Sequence, residues 1–353
     1  MREPCHTSPR RVLVVGCGSI GQRHVRNLWQ LGVTEILVFD PDSTRVDAVA
    51  ALPGVKACGR LEAAYAMKPN AVLVCAPTSL HLSLAREAVL QGADVFVEKP
   101  LSHTLEGVDG LLALIRELGR VAMVGYQLRF NACARQLKTW LEEGRVGHIA
   151  SARFHVGSYL PWRHPWEDYR HGYGARRELG GGVILDAIHE IDSALWLFGP
   201  PQRVYGVSGH LSNLDIDTED VAELLLSYPD ENRIVSIHLD YLQRPHQRWC
   251  ELIGDEGMLL CDFVKGTVKL FEGKSREWVS IETGDDANAE YRRELEHFLE
   301  CVASRSTPMV DGLTARQSLM VAVAAKQSSA EGQPIDLDMS GDLFRVLPGT
   351  TER

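Results

Sequence analysis

The stretch VLVVGCGSIGQRH, residues 12–24, decides the fold of this chain. It begins with an apolar run, residues 12–15, of the kind that forms a buried strand, and it ends in a pattern typical of a helix. Between the two lie Gly16, Gly18 and Gly21, in the spacing G-x-G-x-x-G. Glycines at these places permit a tight turn, leave the backbone open to a close neighbour, and let the helix pack against the strand. The stretch therefore predicts a strand, a glycine turn and a helix.

A glycine turn in this context is typical of dinucleotide-binding domains. The amides of Ser19 and Ile20, at the start of the helix, are placed to bind a pyrophosphate. Asp40 follows the next apolar run at roughly the distance, about 20 residues, where an acid binds the ribose 2′-hydroxyl and repels a 2′-phosphate. The sequence therefore predicts NAD, with NADP as the less favoured cofactor. Two alternatives stay open: Asp40 could be a helix cap or a turn aspartate in DPDST, and Arg45 could reach a 2′-phosphate.

Short apolar runs alternate with helical patterns through the first third of the chain. Runs that are apolar throughout indicate parallel strands buried on both faces, and the crossovers between such strands are right-handed. The sequence therefore predicts a doubly wound α/β domain of the Rossmann type over residues 1–126. The predicted strands cover residues 12–15, 36–39, 71–75, 95–97 and 121–124, and the predicted helices cover 22–31, 80–91 and 105–118.

The pattern changes after about residue 126. Alternating runs separated by Gly, Asp and Pro turns, such as YPDENR, predict an open and mainly antiparallel sheet. We expect an α/β domain over residues 127–310, and a C-terminal helix and tail over 311–353 that packs back on the first domain. In this region the predicted strands cover residues 149–156, 203–208, 221–227, 234–241, 249–253, 258–262, 267–271 and 277–280, and the predicted helices cover 135–143, 183–197, 289–304 and 314–329.

The composition disfavours several classes of protein. The 353 residues carry a formal charge of −10, whereas a nucleic-acid-binding protein needs a basic face. No apolar run is long enough to span a bilayer, and the N-terminal stretch MREPCHTSPRR lacks the apolar segment of a secretion signal, so we expect a cytoplasmic protein. The eight cysteines form no CxxC pair and are expected to be reduced. His164, His171 and His189 lack a compact ligand spacing, so no metal is predicted.

A second informative stretch is GADVFVEKPLS, residues 92–102. Its apolar strand ends abruptly at Glu98, Lys99 and Pro100. Ligands bind at the carboxyl ends of the strands in sheets of this kind, which favours a working lysine over a strand-terminating surface ion pair. Lys99 is therefore a candidate active-site residue.

Five features, in their order along the chain, resemble the glucose–fructose oxidoreductase, inositol dehydrogenase and MocA-like family. They are the glycine turn, Asp40, CAPTSLH at 75–81, FVEKPLS at 96–102 and GGGVILDAIHEID at 180–192. The resemblance covers nearly the whole chain, and EKP followed by a histidine helix is its most specific part. It implies an NAD(P)-dependent dehydrogenase that acts on the CH–OH group of a sugar, sugar acid, nucleotide sugar or cyclitol.

The resemblance also implies roles for particular residues. Lys99 reaches both the nicotinamide and the reacting carbon of the substrate, Glu98 lies against the cofactor, and the Lys99–Pro100 peptide is cis. The loop over the nicotinamide and the segment that enters the second domain supply further contacts. In the latter segment, Gln127 stands where relatives often have Asn. Those toward the cofactor are Ala76, Pro77, Thr78, His81 and Gln127, and those toward the substrate are Tyr126 and Arg129.

Hydride transfer from a secondary alcohol needs one group that takes the hydroxyl proton and another that stabilises the alkoxide. We assign the first role to His189 and the second to Lys99, which also relays the proton. Asp186 stands one residue closer to His189 than the family pattern has it. Because residues three apart share a helix face, Asp186 is expected to orient either the histidine or a substrate hydroxyl.

An aromatic and basic segment, SYLPWRHPWEDYRHGYGARRELGGG at residues 158–182, precedes the histidine helix. Aromatic rings stack on sugars, and arginines pair with carboxylate or phosphate. We therefore expect a sugar-like substrate that carries negative charge, bound by Trp162, Arg170, Tyr173, Arg176 and Arg248. The alternative, that the arginines pair with acidic residues of the same loop, stays open.

Other functions also stay open. The same site would serve a ketoreductase that works in the opposite direction in a biosynthetic pathway, or redox-neutral sugar chemistry with tightly bound NAD. A non-catalytic dinucleotide sensor is disfavoured, because it would not need both Lys99 and His189. An open sheet leaves one apolar face uncovered, so we expect a homodimer or homotetramer formed through the second-domain sheet.

Overall fold

The computed structural model describes residues 11–338 and 345–346; the expected lead-in at residues 1–10 and most of the tail after residue 338 lie outside them. The chain forms two compact units. One comprises the described residues up to Gln127 together with Asn288–Arg316, and the other comprises Leu128–Ala287 and the described residues from Gln317 onward. Residues 288–310, expected in the second domain, thus group with the first unit, where the Arg305 side chain bonds Asp94 at 2.6 Å.

The first unit contains a six-stranded parallel sheet, which confirms the predicted Rossmann-type fold. The strand order is β3-β2-β1-β4-β5-β6, so the sheet is wound outward in both directions from β1 and β4. The strands are β1 (Arg11–Val15), β2 (Glu35–Phe39), β3 (Val55–Ala57), β4 (Ala71–Val74), β5 (Asp94–Glu98) and β6 (Ala122–Gly125). The helices between them are α1 (Ser19–Gln30), α2 (Ser43–Ala50), α3 (Leu61–Ala66), α4 (His81–Leu90) and α5 (Val108–Glu117).

Burial explains why these strands form. All residues of β4 and β5 are buried, as continuous apolar runs in a parallel sheet predict. Neither β3 nor the helices α2 and α3 were predicted from the sequence. β3 has three residues, and only one of them is partly buried, so no apolar run marks this strand. The point where the strand order reverses, between β1 and β4, is where sheets of this kind bind their ligands.

The second unit contains a large, mostly antiparallel sheet, as predicted. Its order is β14-β13-β12-β11-β7-β10-β9-β8-β15-β16, and only the pair β7–β10 is parallel among the paired strands of the described residues. The strands are β7 (Ile149–Gly157), β8 (Arg203–Gly209), β9 (Val221–Tyr228), β10 (Arg233–Asp240), β11 (Gln247–Gly254), β12 (Gly257–Asp262), β13 (Thr267–Glu272), β14 (Glu277–Glu282), β15 (Ile335–Asp338) and β16 (Arg345–Val346). The helices that follow α5 are α6 (Ala132–Glu142), α7 (Leu160–Arg163), α8 (Val183–Asp186), α9 (His189–Phe198), α10 (Ala289–Ser304) and α11 (Gly312–Glu331).

The two faces of the second sheet differ. Along β9 the alternate residues Ala222, Leu224 and Leu226 are buried, whereas Leu225 between them is 46% exposed. Ile234 on the neighbouring strand β10 is 58% exposed. The sheet therefore has one core face and one face that carries exposed apolar side chains. None of the helices in the described part of the chain is long and apolar enough to cross a membrane.

The single helix predicted over residues 183–197 is wrong, because the structure has two helices there. α8 ends at Asp186, Ala187 has ψ of 29°, and α9 begins at His189. The turn between them is tighter than an α-helix, since the amide of Glu190 bonds the carbonyl of Ala187, three residues back. Asp186 and His189 therefore lie on different helices, and the shared helix face expected for them is wrong.

Candidate active site

The glycine turn between β1 and α1 has the predicted form. Gly16 has φ of +96°, and a Cβ there would lie 2.6 Å from the carbonyl oxygen of Cys75. A Cβ at Gly21 would overlap the carbonyl of Gly16, whereas one at Gly18 would meet open space. Gly16 and Gly21 thus permit close packing, and Gly18 leaves room in front of the amides that begin α1. Such unbonded amides at a helix N-terminus bind anions.

Asp40 is fixed beside this turn. Its Oδ2 accepts a hydrogen bond from the amide of Cys17 at 2.7 Å, and its Oδ1 accepts one from the amide of Asp42 at 2.9 Å. The helix cap is Asp42 instead, whose side chain accepts from Thr44 at the start of α2. The cap alternative for Asp40 is therefore wrong, whereas its bond to the amide two residues further on is that of a turn aspartate. Nε of Arg45 lies 3.5 Å from Oδ2 of Asp42.

A cavity of about 600 Å³ opens next to Asp40. It lies past the end of β2 and borders the start of α3. Its lining includes Phe39, Asp40, Pro41, Val46, Cys58, Arg60 and Leu61. The open cradle at Gly18, the fixed acid and this cavity fit a dinucleotide: Gly16, Gly18, Ser19 and Ile20 would hold the pyrophosphate, and Asp40 the ribose.

Lys99 follows the last residue of β5, where the neighbouring carboxylate is tightly held. Oε1 of Glu98 lies 2.6 Å from Nε2 of His24, and both side chains are buried. Oε2 of Glu98 accepts from the amide of Lys99 at 3.2 Å. Burial opposes ionisation of Glu98, but the bond from His24 and the charge of Lys99 hold the pKa of its carboxyl below the usual value. Glu98 is therefore a carboxylate at neutral pH.

His81 ties the segment after β4 to the segment after β5. Its Nδ1 lies 2.7 Å from the carbonyl oxygen of Pro100, and its Nε2 lies 2.8 Å from that of Ala76. The ring is buried, and burial lowers the pKa of His81. His81 was predicted to lie over the nicotinamide, but both of its ring nitrogens point to backbone carbonyls. The Lys99–Pro100 peptide is cis, as the resemblance implied.

The residues on both sides of Lys99 are thus each held by a buried histidine. His24 was not among the predicted site residues. The one signal for it is its position among the buried residues of α1, three positions after Gly21. Pro77 and Thr78 lie between Ala76 and His81 in the segment after β4, and Thr78 is buried. Gln127 bonds the hydroxyl of Tyr291 at 3.2 Å, and the preceding Tyr126 is fully buried.

In the second unit, Asp186 anchors the aromatic and basic segment. Its Oδ2 accepts from the guanidinium of Arg163 and, at 3.1 Å, from the hydroxyl of Tyr241, while its Oδ1 accepts from Tyr173. The guanidinium of Arg163 also lies 4.8 Å from the ring centre of Tyr241. These contacts connect Asp186 to residues of the predicted substrate-binding segment. Tyr241 was not among the predicted site residues, and its contact with Asp186 spans 55 positions in sequence.

His189 begins α9 and is buried, and the acidic residues after it each bind an arginine. Asp192 forms two hydrogen bonds with Arg129, of 2.7 and 2.8 Å. Glu190 lies 2.8 Å from Nε of Arg248. Arg129 and Arg248, both predicted to bind substrate, therefore hold the first turn of α9 in place.

Arg170, which is exposed, and Arg176, which is half-buried, also have partners within the segment at 158–182. Arg170 binds Asp168 through three hydrogen bonds of 2.6 to 3.0 Å from its guanidinium, and Arg176 donates to the carbonyl of Arg170 at 2.6 Å. Trp162 is 64% exposed. For Arg170, pairing with an acidic residue of the same loop is the alternative that the sequence left open.

Two protein-family models match consecutive parts of the chain. A model of an oxidoreductase family with an NAD-binding Rossmann fold, GFO_IDH_MocA, matches residues 10–126, and the model of the GFO/IDH/MocA C-terminal domain matches residues 134–260. The scyllo-inositol 2-dehydrogenase (NAD(+)) of Bacillus subtilis (strain 168) is 28% identical over 343 residues, which are 93% of this chain and 96% of that protein. The myo-inositol 2-dehydrogenase of Thermotoga maritima is 25% identical, with 93% and 98% covered.

Solved structures share the fold. GenD2 from gentamicin A biosynthesis, in complex with NAD, has a TM-score of 0.82 at 21% identity, with 96% of this chain and 99% of that chain covered. The WlbA dehydrogenase from Bordetella pertussis, in complex with NADH and UDP-GlcNAcA, has a TM-score of 0.79 at 24% identity, with 94% and 100% covered. Since both domain models match in the expected order, the chain belongs to the GFO/IDH/MocA family and is an NAD-binding oxidoreductase.

Proposed function

We propose that the protein is an NAD-dependent dehydrogenase that interconverts a secondary alcohol and a ketone on a polyol ring, with a cyclitol or a neutral sugar as its leading substrate class. The observation that carries the proposal is the fixed position of Lys99. It follows β5 in the unit that contains the dinucleotide cradle, between two residues that His24 and His81 hold. The full-length relatives named as inositol 2-dehydrogenases support the substrate class.

The two proposed acid–base residues have separate roles. Bound NAD would supply the hydride acceptor for the carbinol carbon and, as NADH, the hydride donor for the ketone. His189 accepts the hydroxyl proton as the C–O bond becomes a carbonyl, and it gives the proton back in the reverse direction. The ammonium of Lys99 stabilises the alkoxide and relays the proton. Both directions use the same residues. A ketoreductase of a biosynthetic pathway would therefore use these residues to reduce the ketone instead of oxidising the alcohol.

Charge pairing favours a neutral substrate over an anionic one. Four arginines of the second unit bind carboxylates, and their charges are largely compensated: Arg129 with Asp192, Arg163 with Asp186, Arg170 with Asp168, and Arg248 with Glu190. A sugar acid or nucleotide sugar is the second candidate. It is favoured by Arg244, whose guanidinium lies over the rings of Tyr159 and Trp162 at 3.2 and 5.3 Å.

The test is a substrate screen followed by two substitutions. Cyclitols, neutral sugars, sugar acids and nucleotide sugars are incubated with NAD⁺, and absorbance of reduced nicotinamide is recorded. On the best substrate, we expect Lys99→Ala and His189→Ala each to lower turnover by about 10² to 10⁴ while NAD binding persists. Lys269→Ala, at an exposed lysine of β13, is the control.

Near-native turnover in either variant would overturn the role of that residue. Binding of NAD without turnover of any compound in the screen would favour the sensor. A substrate that is consumed without net reduction of NAD⁺ would favour redox-neutral chemistry.

We also propose that the exposed face of the second sheet joins two or more copies of the chain. Tyr205, Val207, Leu225 and Ile234 give this face an apolar character that a monomer would leave in water. Light scattering of the wild type should show a dimer or tetramer, and Ile234→Lys should shift the mass toward the monomer. A monomeric wild type would contradict the proposal.

A further inference from the structure

Glu219, just before β9, bonds two amides at the start of α8. Its carbonyl oxygen accepts from the amide of Val183 at 3.0 Å, and Oε1 of its side chain accepts from the amide of Ile184 at 3.4 Å. The side chain that usually caps a helix in this way belongs to the residue just before the first turn. In α8 that residue is Gly182, which has no side chain to offer, so Glu219 caps the helix from another part of the chain.

The backbone at Gly182 leaves the space that this carboxylate occupies. Its φ of 109° and ψ of 149° lie in a region that only glycine adopts readily. A Cβ there would lie 2.3 Å from Oε1 of Glu219 and 2.5 Å from Oε2. The last glycine of the triplet at 180–182 is therefore required by the cap as well as by the turn.

A lysine of α11 bonds the same carboxylate. Nζ of Lys326 lies 3.3 Å from Oε1 of Glu219 and 3.4 Å from Oε2. The Glu219 side chain is only 13% exposed, so its charge is largely removed from water and is compensated by the lysine. The carboxylate is thus held both by an amide of α8 and by a side chain of α11.

The position of α8 matters because the helix ends at Asp186. α8 is a single turn of four residues, and a helix this short is not stable by itself. The residue after Glu219 is connected to the same aspartate: the carbonyl of Asp220 accepts from the amide of Tyr241 at 2.9 Å, and the Tyr241 hydroxyl donates to Asp186 at 3.1 Å. His189 begins the next helix, three residues after Asp186. The contacts that hold α8 therefore also determine where α9 begins.

We propose that Glu219 is a positioning residue for Asp186 and His189. The inference rests on the proposed acid–base role of His189. Lys326 keeps the Glu219 carboxylate in the capping position. Without the side-chain oxygen of Glu219, the amide of Ile184 loses that acceptor, and the turn that ends at Asp186 is free to shift. A shift of about 1 Å at a reacting group can cost around 10²-fold in rate.

The experiment measures turnover of the best substrate of the screen, NAD affinity and hydrogen exchange in full-length variants of Glu219. Glu219→Ala should lower kcat by about 10 to 10²-fold. It should leave the Kd for NAD unchanged, because the dinucleotide cradle belongs to the other unit of the chain. Amide hydrogen exchange in peptides that cover residues 183–192 should become about 10-fold faster or more. Glu219→Gln keeps an oxygen that can accept from Ile184, so it should retain kcat within about threefold of the wild type and the exchange rates of the wild type.

Asn131→Ala is the matched control. Asn131 caps another helix of the same unit, since its side chain accepts from the amides of Cys133 and Ala134 at the start of α6. The substitution removes a cap of the same kind without touching α8. It should leave both kcat and the exchange of residues 183–192 as in the wild type. A fall in kcat equal to that in Glu219→Ala would indicate general destabilisation and would overturn the positioning role.

Near-native kcat in Glu219→Ala, in a protein whose His189→Ala variant has lost turnover, would also overturn the inference. If Glu219→Ala does not fold, Glu219→Asp takes its place, because the shorter side chain withdraws the oxygen from Ile184; near-native kcat in that variant would then overturn the inference. Native turnover in His189→Ala would refute the proposed role of the histidine, whereas unchanged exchange of residues 183–192 in Glu219→Ala would refute the cap. The two failures are therefore distinguishable.

Discussion

His24 and Glu98 form a buried pair that joins the first helix of the dinucleotide domain to the end of its fifth strand. Nε2 of His24 lies 2.6 Å from Oε1 of Glu98, and the two residues are 74 positions apart in sequence. The ring of His24 packs edge-on against Phe96, whose centre is 5.3 Å away. Because Lys99 is the next residue after Glu98, the pair couples the start of the cofactor cradle to the position of the proposed catalytic lysine.

Replacing His24 by leucine should destabilise the protein at neutral pH. The substitution leaves the Glu98 carboxylate buried without its histidine, and breaking a buried pair in this way costs about 3 kcal/mol. Urea unfolding of wild type and His24→Leu at pH 7.5 measures the difference in the free energy of unfolding. His148→Leu, at an exposed histidine, is the matched control.

The pH dependence of that difference identifies its cause. In the wild type the pKa of Glu98 is below its ordinary value, so its stabilising effect is present above the ordinary pKa and is lost as the pH falls through the folded-state pKa. In His24→Leu, burial raises the pKa of Glu98, and protonation relieves the buried charge. The difference in the free energy of unfolding between wild type and His24→Leu should therefore become smaller from pH 7.5 to pH 5. A gap that does not change with pH would mean that packing alone is lost.

His81→Ala should reduce turnover more than it reduces NAD affinity. Without the ring, the carbonyls of Ala76 and Pro100 lose their common partner, and the segment that carries Lys99 is less well positioned. A displacement of about 1 Å at a reacting group can cost around 10²-fold in rate. Steady-state kinetics give kcat and KM, and equilibrium titration gives the Kd for NAD.

The effect of His81 is expected to be one of positioning, so the pH profile of kcat should keep its shape in the variant while its height falls. A shifted pH optimum would instead mean that His81 takes part in proton transfer. An unchanged kcat would show that the tie between the two segments is not needed.

The sequence predicts the cradle well because its determinants are local. The apolar strand, the glycines and Asp40 lie within 29 residues of one another, and each has a fixed meaning at its position. It does not predict contacts made across the fold, such as those of His24 with Glu98 or Tyr241 with Asp186, since no periodicity relates the partners. The break between α8 and α9 could not be predicted for the same reason, because α8 ends at Asp186, whose partners come from distant segments.

Asp40 should determine the cofactor preference. Its carboxylate would accept hydrogen bonds from the ribose and repel a 2′-phosphate, so we expect NAD to bind the wild type about tenfold or more tightly than NADP. Asp40→Ser removes the charge and should reduce that ratio, chiefly by weakening NAD. Dissociation constants for both cofactors measure it. Tighter binding of NADP to the wild type would contradict the prediction.

Asp186→Ala should loosen the segment at 158–182. The variant leaves Arg163 without its carboxylate and removes the acceptor of Tyr173 and Tyr241, which costs about 3 kcal/mol if the segment stays packed. Limited proteolysis should therefore cut within this segment in the variant before it cuts the wild type. Asp230→Ala, at an exposed aspartate outside the segment, is the control.

Turnover separates the two roles open to Asp186. If Asp186 only anchors the segment, Asp186→Ala should show a raised KM together with the new cleavage sites. If turnover falls by about 10² or more while the protease pattern stays that of the wild type, Asp186 instead orients the histidine or the substrate.

Arg170 and Arg176 decide between neutral and anionic substrates. The guanidinium of Arg170 is bound by Asp168 in a geometry that lowers the pKa of that aspartate to about 2, and Arg176 donates to the backbone of Arg170. The charge of Arg170 is compensated by Asp168, and Nε of Arg176 is occupied by the backbone bond, which reduces the attraction of the two side chains for a carboxylate or phosphate. We therefore expect Arg170→Ala and Arg176→Ala to lower kcat/KM for neutral and anionic sugars by the same small factor.

The comparison uses one neutral and one anionic sugar of the same ring configuration, with Arg203→Ala, at an exposed arginine paired with Asp336, as the control. A loss of more than tenfold for the anionic sugar alone would show that these arginines bind the substrate, and the anionic class would then replace the neutral one.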